Sequence, residues 1–293
     1  MNFRISKDSN ELIKEVDISM KISNIMDKTE LYNKVKMPWL GYGTYKAHDN
    51  ELVEGIKYAL SFGYRLIDTA EMYENEEEVG KAIRESRIPR EEIFITSKVW
   101  NTNQGYESTL RSFENSLKRL GVDYLDLYLI HWPVRGKYIE TWKALEKIYK
   151  EGRVRAIGVS NFLIHHLKDI IDNCEIVPMV NQVEFHPYLL QKDLLEFCKK
   201  NKIQLEAWSP IMRGKVNDIP QIVEIAKKYN KTPAQIALRW DLQHEVVTIP
   251  KSVHKERIKE NAEIFDFELT EEEMRIIDSL DQNKRFGANP DDF

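Results

Sequence analysis

Two cysteines in 293 residues leave this chain almost without thiol chemistry. Cys174 and Cys198 lack metal-ligand spacing, no CxxC pair occurs, and two thiols cannot make a disulfide framework. They are expected to be reduced packing residues in a reducing compartment, the cytoplasm. Glycine is sparse as well, at 12 residues. Gly41 and Gly43 give GYG after an apolar stretch, but the third glycine of a dinucleotide fingerprint is missing and no phosphate loop occurs. HExxH and GxSxG are absent too. His165-His166 and His186-Pro187 match no metal-ligand motif, so no metal site is expected. No apolar run is long enough to span a membrane. Behind Arg4, Lys7 and Asp8 there is no continuous apolar core, so no signal peptide is expected. Basic residues number 43 against 48 acidic, a formal net charge of −5. That balance, with no basic block interleaved with aromatics, argues against nucleic-acid and anionic-membrane partners.

What is present is a regular alternation. Residues 1–27 are charged and weakly periodic, and are set aside as an N-terminal extension without an assigned role. Lys28 to Val35 reads as a hairpin around Asn33-Lys34, with a first core strand near Met37 to Gly43. Apolar residues at Leu52, Val53, Ile56, Ala59 and Leu60 have helical spacing. Strands then alternate with helices: 65–68, 93–99, 125–131, 156–160, 179–184, 204–208 and 246–250. Asn75 is the expected N-cap of the second helix, and Glu76, Glu77 and Glu78 suit its first turn, so that acidic run is read as structural. Thr232-Pro233-Ala234-Gln235 and Thr270 to Glu273 are capping boxes. Eight strand candidates within roughly 250 residues fit a closed (β/α)8 barrel better than an open doubly wound sheet. No Pro-, Gly- or Ser-rich linker divides the chain, so residues 28–293 are read as one barrel domain. It has a hairpin cap, a C-terminal extra helix and a tail.

Chemistry in parallel β/α folds gathers at the carboxyl ends of strands. Asp68 closes one short apolar run, Lys98 the next and His131 the next, while Tyr73 lies five positions after Asp68. Singly, each has a bland reading: a salt bridge, a satisfied core histidine, a loop anchor. Together they suit proton donation to an oxyanion developing at a carbonyl. A phenol is a weak acid, with a reference pKa of about 10. The Lys98 ammonium, held by Asp68, is expected to lower that value. Such chemistry needs a hydride source, which a nicotinamide cofactor provides.

The chain resembles the aldo-keto reductase family from about Lys34 to Phe293. The resemblance lies in GYGTYKA (41–47), IDTAEMYENEEEVGKAI (67–83), TSKVWN (96–101) and LDLYLIHWP (125–133). It continues in GVSNF (158–162), NQVEFHPY (181–188), WSP (208–210) and IPKSVHKERIKENAEIFDFELT (249–270). It implies a (β/α)8 barrel and NADPH-dependent reduction of aldehydes or ketones. Tyr73 would be the general acid, tuned by Asp68 and Lys98, with His131 orienting the carbonyl. Ser160, Asn161 and Gln182 match the positions that hold the nicotinamide carboxamide. Trp208 stands where the family commonly stacks a tyrosine on the nicotinamide. Gly43 and Thr44 fall in a cofactor-side stretch, and the loop from Ser209 and Pro210 to Gly214 would wrap the pyrophosphate; Met212 and Arg213 have no assignment. Lys251, Ser252 and Arg257 resemble the clamp for the adenosine 2′-phosphate, with Glu260 and Asn261 on the adenine. Tyr45, Trp100, Trp132 and Phe162 are expected to line the substrate pocket. The tail 283–293 resembles those of microbial members that reduce small dicarbonyls and keto-sugars. A monomer or weak dimer is implied.

Two readings of other classes stand beside this one. Lys98 could be the nucleophile of a Schiff-base aldolase. A cofactor-binding regulatory barrel without turnover is the other.

Overall fold

The computed structural model describes residues 22–293. The expected extension therefore lies mostly outside the described residues. Of its last six residues, Ile22 is buried and its carbonyl accepts from Arg239 Nη1 at 2.9 Å. Ser23 and Asn24 donate their backbone N–H groups to the Asp27 carboxylate.

The hairpin expected around Asn33-Lys34 is present. Strand β1 (Lys28–Glu30) pairs antiparallel with β2 (Lys36–Pro38). Lys34 takes the left-handed conformation in the turn between them. The core strand expected from Met37 is shorter than read: Lys36–Pro38 belongs to the hairpin, and β3 covers only Tyr42–Gly43. Pro38 has no N–H to continue a ladder, which ends the hairpin strand there.

Eight parallel strands follow one another around a ring. They are β3, β4 (Leu66–Asp68), β5 (Phe94–Val99), β6 (Leu125–Ile130), β7 (Val154–Ser160), β8 (Val180–Glu184), β9 (Gln204–Trp208) and β10 (Val247–Thr248). A parallel bridge between Leu40 and Thr248 joins the last strand to the first. The (β/α)8 barrel expected from the alternation is closed there. Helices α1 (Asp49–Phe62), α2 (Glu76–Ser86), α3 (Tyr106–Leu120), α4 (Tyr138–Lys150), α5 (Ile164–Asn173) and α6 (Lys192–Lys200) link the strands up to β9. Two more, α7 (Pro220–Tyr229) and α8 (Pro233–Gln243), precede β10; α9 (Lys255–Ala262), α10 (Glu271–Asp278) and the tail end the chain. Both capping boxes are formed, Thr232 with Gln235 and Thr270 with Glu273.

Strands buried on both faces are mostly apolar; β6 is buried at every residue, and its one charged residue, Asp126, is paired with Arg90 and Arg155. The hairpin closes the barrel's amino-terminal end. Thr29 donates to Gln204, Tyr32 to the Val177 carbonyl and Asn33 to the Arg155 carbonyl. That leaves the carboxyl ends open at the other face. No helix among the described residues is long and apolar enough to cross a membrane.

Candidate active site

Register brings the expected residues together. Asp68 pairs with Thr96 across β4 and β5, so Lys98, two residues on, shares its inward face one layer higher. Lys98 is fully buried, yet its ammonium has three oxygen partners at hydrogen-bonding distance. Nζ donates to Asp68 Oδ1 at 2.7 Å, Asp68 Oδ2 at 2.9 Å and the Thr69 carbonyl at 2.9 Å. Tyr73 Oη lies 3.4 Å from the same nitrogen. His131 follows β6 directly, its ring edge-on to Tyr73 with centroids 5.7 Å apart. Tyr73 sits at the end of a single 3₁₀ turn that Glu71 ties down. The Glu71 carboxylate accepts from Trp100 N, Asn103 Nδ2 and Ser112 Oγ.

Asn75 is at the N-cap of α2 as expected, but its side chain makes no capping bond: buried, it accepts from Thr69 and donates to the Thr44 and Ala47 carbonyls. It thereby staples the loops that carry Tyr73. Glu76 is structural as read, buried and accepting from Ser97 and Arg119.

The expected lowering of the Tyr73 pKa does not occur. Burial has the largest influence and pushes the phenol up to about 12, with Lys98 pulling it down and Asp68 pushing it further up. The ring as a whole is only half-buried; its hydroxyl end is the part that faces the sealed ammonium. Sequence places a cation near the phenol but cannot weigh desolvation against it. Burial also opposes charge on Lys98, but Asp68 and Tyr73 outweigh it and the ammonium is held above its ordinary value. His131 is held well below 6.5, by burial first and the Lys98 charge second. Its Nδ1 has no partner among the described residues. The result is a protonated phenol, a fixed ammonium and a neutral imidazole. That set can give a proton to an oxygen gaining charge.

Asp68, Tyr73 and His131 share a cavity of about 590 Å³ with Gly43, Thr44, Tyr45, Trp132, Ser160, Asn161, Gln182, Trp208, Ser209, Pro210 and Lys251, while Lys98 lies sealed behind them. Asn161 is left-handed (φ 65°), a conformation that asparagine tolerates. Its amide donates to the His131 carbonyl and accepts from Trp208 Nε1 at 2.8 Å, which fixes the indole plane. Gly43 is needed for close approach: a Cβ there would stand 2.9 Å from the Ile249 carbonyl oxygen. In the loop after β9, Ser209, Met212, Arg213 and Gly214 all have positive φ. Met212 is core, whereas Arg213 reaches the cavity. Ser252, Arg257, Glu260 and Asn261 lie beyond the cavity on the β10–α9 segment. Arg257 is exposed, while the Glu260 carboxylate already accepts from Thr232.

Two expected pocket residues are placed differently. Phe162 is fully buried beneath the cavity, against Tyr138 and His166, because the left-handed turn at Asn161 sends the chain under the barrel rim. Trp100 stands edge-on to His131 at 5.0 Å rather than lining the main cavity. Other lining residues were not singled out from sequence: Phe286, Gly287 and Ala288 of the tail, with Lys46, Met72 and Ile211. The tail is anchored by Glu184, a buried carboxylate at the end of β8. It accepts from Phe286 N at 2.7 Å, Gly287 N at 3.1 Å and His186. A charge inside a buried strand is costly without partners, and that was the available signal. The tail also brings Asp291 to His165 and His166, an acidic neighbour not visible in local spacing. His166 Nδ1 accepts from Leu163 N, so in the neutral ring its Nε2 carries the hydrogen and offers no lone pair to a metal.

Comparison with known proteins agrees with this geometry. The Aldo/keto reductase family matches residues 39–282. A glyoxal reductase of Bacillus subtilis is 58% identical over 92% of this chain and 99% of its own length. A methylglyoxal reductase of Escherichia coli is 46% identical over 88% and 94%. Among solved structures, an aldo-keto reductase from a Medee basin deep-sea metagenome library superimposes with a TM-score of 0.88. It is 50% identical and covers 90% of this chain and 98% of its own. A mutant of Gox0644 in complex with NADPH gives 0.86 at 44% identity, covering 90% and 97%. With the barrel, the Asp68–Lys98–Tyr73–His131 cluster and these matches together, the chain belongs to the aldo/keto reductase family.

Proposed function

We propose that the chain reduces a small aldehyde or ketone to an alcohol with NADPH, and that Tyr73 gives the proton. The observation that carries this is the phenol at the cavity floor, kept protonated and 3.4 Å from a buried ammonium. The residues fit the cofactor. Trp208 offers a fixed aromatic face, Ser160 and Asn161 border it, and Gln182 presents an amide oxygen that no described donor occupies. Lys251 and exposed Arg257 have no ion-pair partner among the described residues and could meet a 2′-phosphate. When bound, the nicotinamide supplies the hydride. Tyr73 donates its proton to the carbonyl oxygen; Lys98 steadies the phenolate that remains, and Asp68 holds Lys98. Neutral His131 orients the carbonyl. Glyoxal and methylglyoxal reductases among the relatives support small dicarbonyls as substrates. The same reading takes the protein as a cytoplasmic monomer or weak dimer that acts on a small molecule. Its net charge of −5 supports the absence of a nucleic-acid partner. The Schiff-base alternative fares poorly, because Lys98 has no unshared lone pair while it is an ammonium bonded to Asp68 and Thr69.

The test is NADPH oxidation against NADH oxidation with methylglyoxal, glyceraldehyde, nitrobenzaldehyde and a keto-sugar. Turnover with NADPH well above NADH is expected; none with either cofactor would sink the reading. Run across pH, kcat/KM for reduction should show no break near 6.5, since His131 stays neutral there. A fall of the rate with a midpoint near 6.5 would mean that an ionising imidazole takes part.

Gly287 gives a second expectation. A Cβ there would stand 2.4 Å from the Trp208 ring. Overpacking by one methyl costs roughly 1–3 kcal/mol, so Gly287→Ala should weaken NADPH binding on the order of tenfold by displacing the indole. Unchanged affinity by fluorescence titration would show that the tail yields instead.

A further inference from the structure

Glu206 is the one ionisable residue of β9, and its side chain is fully buried in the barrel interior. Its register partner across β8 and β9 is Gln182. The Gln182 amide nitrogen donates to Glu206 Oε2 at 2.8 Å and to Asp68 Oδ2 at 2.8 Å. Two carboxyl oxygens therefore flank one amide atom. Only an NH₂ group, with two hydrogens, satisfies both, so the O and N ends of this amide are chosen by chemistry and not merely by rotamer. The amide oxygen, left over, accepts from no described donor and stays open to the cavity.

We propose that Glu206 is a positioning residue that, with Asp68, pins both amide hydrogens of Gln182 and so aims its oxygen at the carboxamide of a bound nicotinamide. This rests on the NADPH reading above. A carboxyl in an apolar strand is unfavourable, and this one gains only a single bond; its Oε1 is unpartnered among the described residues. The charged groups that reach it are Asp68 on β4 and Lys98 on β5, while β10 on its other side offers only Val247 and Thr248. Asp68 already matches the one ammonium. A second full anion has no counter-charge, so burial first and Asp68 second raise Glu206 to about 8. Pushed toward its neutral form, it still accepts the Gln182 bond through Oε2.

The experiment measures NADPH affinity by tryptophan quenching for Glu206→Gln, Glu206→Leu and Glu206→Met. Gln keeps an acceptor for the Gln182 amide and should stay within about twofold, whereas Leu and Met should bind about tenfold more weakly, the loss of one such bond. In a Gln182→Leu background, Glu206→Met should add nothing. Wild-type affinity in the folded Leu or Met variant, or additive losses in the double variant, would overturn the proposal. Failure of the unsubstituted chain to bind NADPH would overturn the function reading along with it, so the two failures are distinguishable. The cofactor-free chain gives an independent reading. A carboxyl whose native pKa exceeds its unfolded value costs stability as pH rises from about 4.5 to about 8. The Tm advantage of Glu206→Gln over the natural chain should therefore widen across that window and level off above it. A pH-independent difference would overturn the placement of Glu206 beside Asp68.

Discussion

Tyr73→Phe is expected to keep NADPH binding and to lose about 10²- to 10⁴-fold in kcat, the span a positioned general acid supplies. The substitution removes one oxygen and leaves the ring against Tyr45 and His131, with centroids 5.0 and 5.7 Å away. Cofactor contacts assigned to Trp208, Gln182 and Lys251 are untouched. The loss thus falls on the chemical step, about 3–5 kcal/mol of transition-state stabilisation. Single-turnover NADPH oxidation with cofactor pre-bound separates the two quantities. Undiminished turnover would remove Tyr73 as the proton donor; a parallel loss of NADPH affinity would mean the hydroxyl shapes the site rather than reacting. Because the phenol sits at about 12, its proton is present throughout the neutral range. Alcohol oxidation, which needs the phenolate, should accelerate with rising pH.

Lys98→Met should produce the largest loss of stability. Lys98 and Asp68 are both sealed from solvent, at 0% and 3% side-chain exposure. Removing one partner of a buried pair leaves the other uncompensated and costs about 3–5 kcal/mol. Gln182 remains as a donor to Asp68, but it already serves Glu206 as well. Lowering the pH lets a lone buried carboxylate take a proton, so the deficit against the natural chain should shrink in acid. The double variant Asp68→Asn with Lys98→Met should recover much of the stability without recovering turnover, since a neutral pair carries no stranded charge. Denaturant unfolding of the natural chain and the two variants checks this. If the double variant is as unstable as Lys98→Met alone, packing rather than charge explains the cost.

The elements of the fold were legible because their signals are local. Strand runs, the helical spacing in α1 and both capping boxes depend on residues within a few positions of one another. The barrel followed from counting alternating units, and the four polar residues at or just past strand ends were visible as interruptions of apolar runs. Asn75 is the N-cap residue the sequence indicates, but what its side chain bonds to was not legible; the loops of Thr44, Ala47 and Thr69 around it decide. The resemblance to the family puts Phe162 in the pocket, but one positive φ at Asn161 redirects it. Glu184 and Glu206 have no role in the sequence reading although each is a carboxylate on a barrel strand, and a charge there marks a position in need of an explanation.

The sequence by itself therefore determined the architecture, the family and the composition of the acid–ammonium–imidazole cluster, since periodicity and motif spacing are properties of neighbouring residues. Tertiary structure alone decided the direction of the Tyr73 shift, the return of Phe286, Gly287 and Ala288 over the cavity, and the sharing of one amide between Asp68 and Glu206. Desolvation depends on everything packed around a group, and contacts between residues 68, 182 and 206 exist only once the ring has closed.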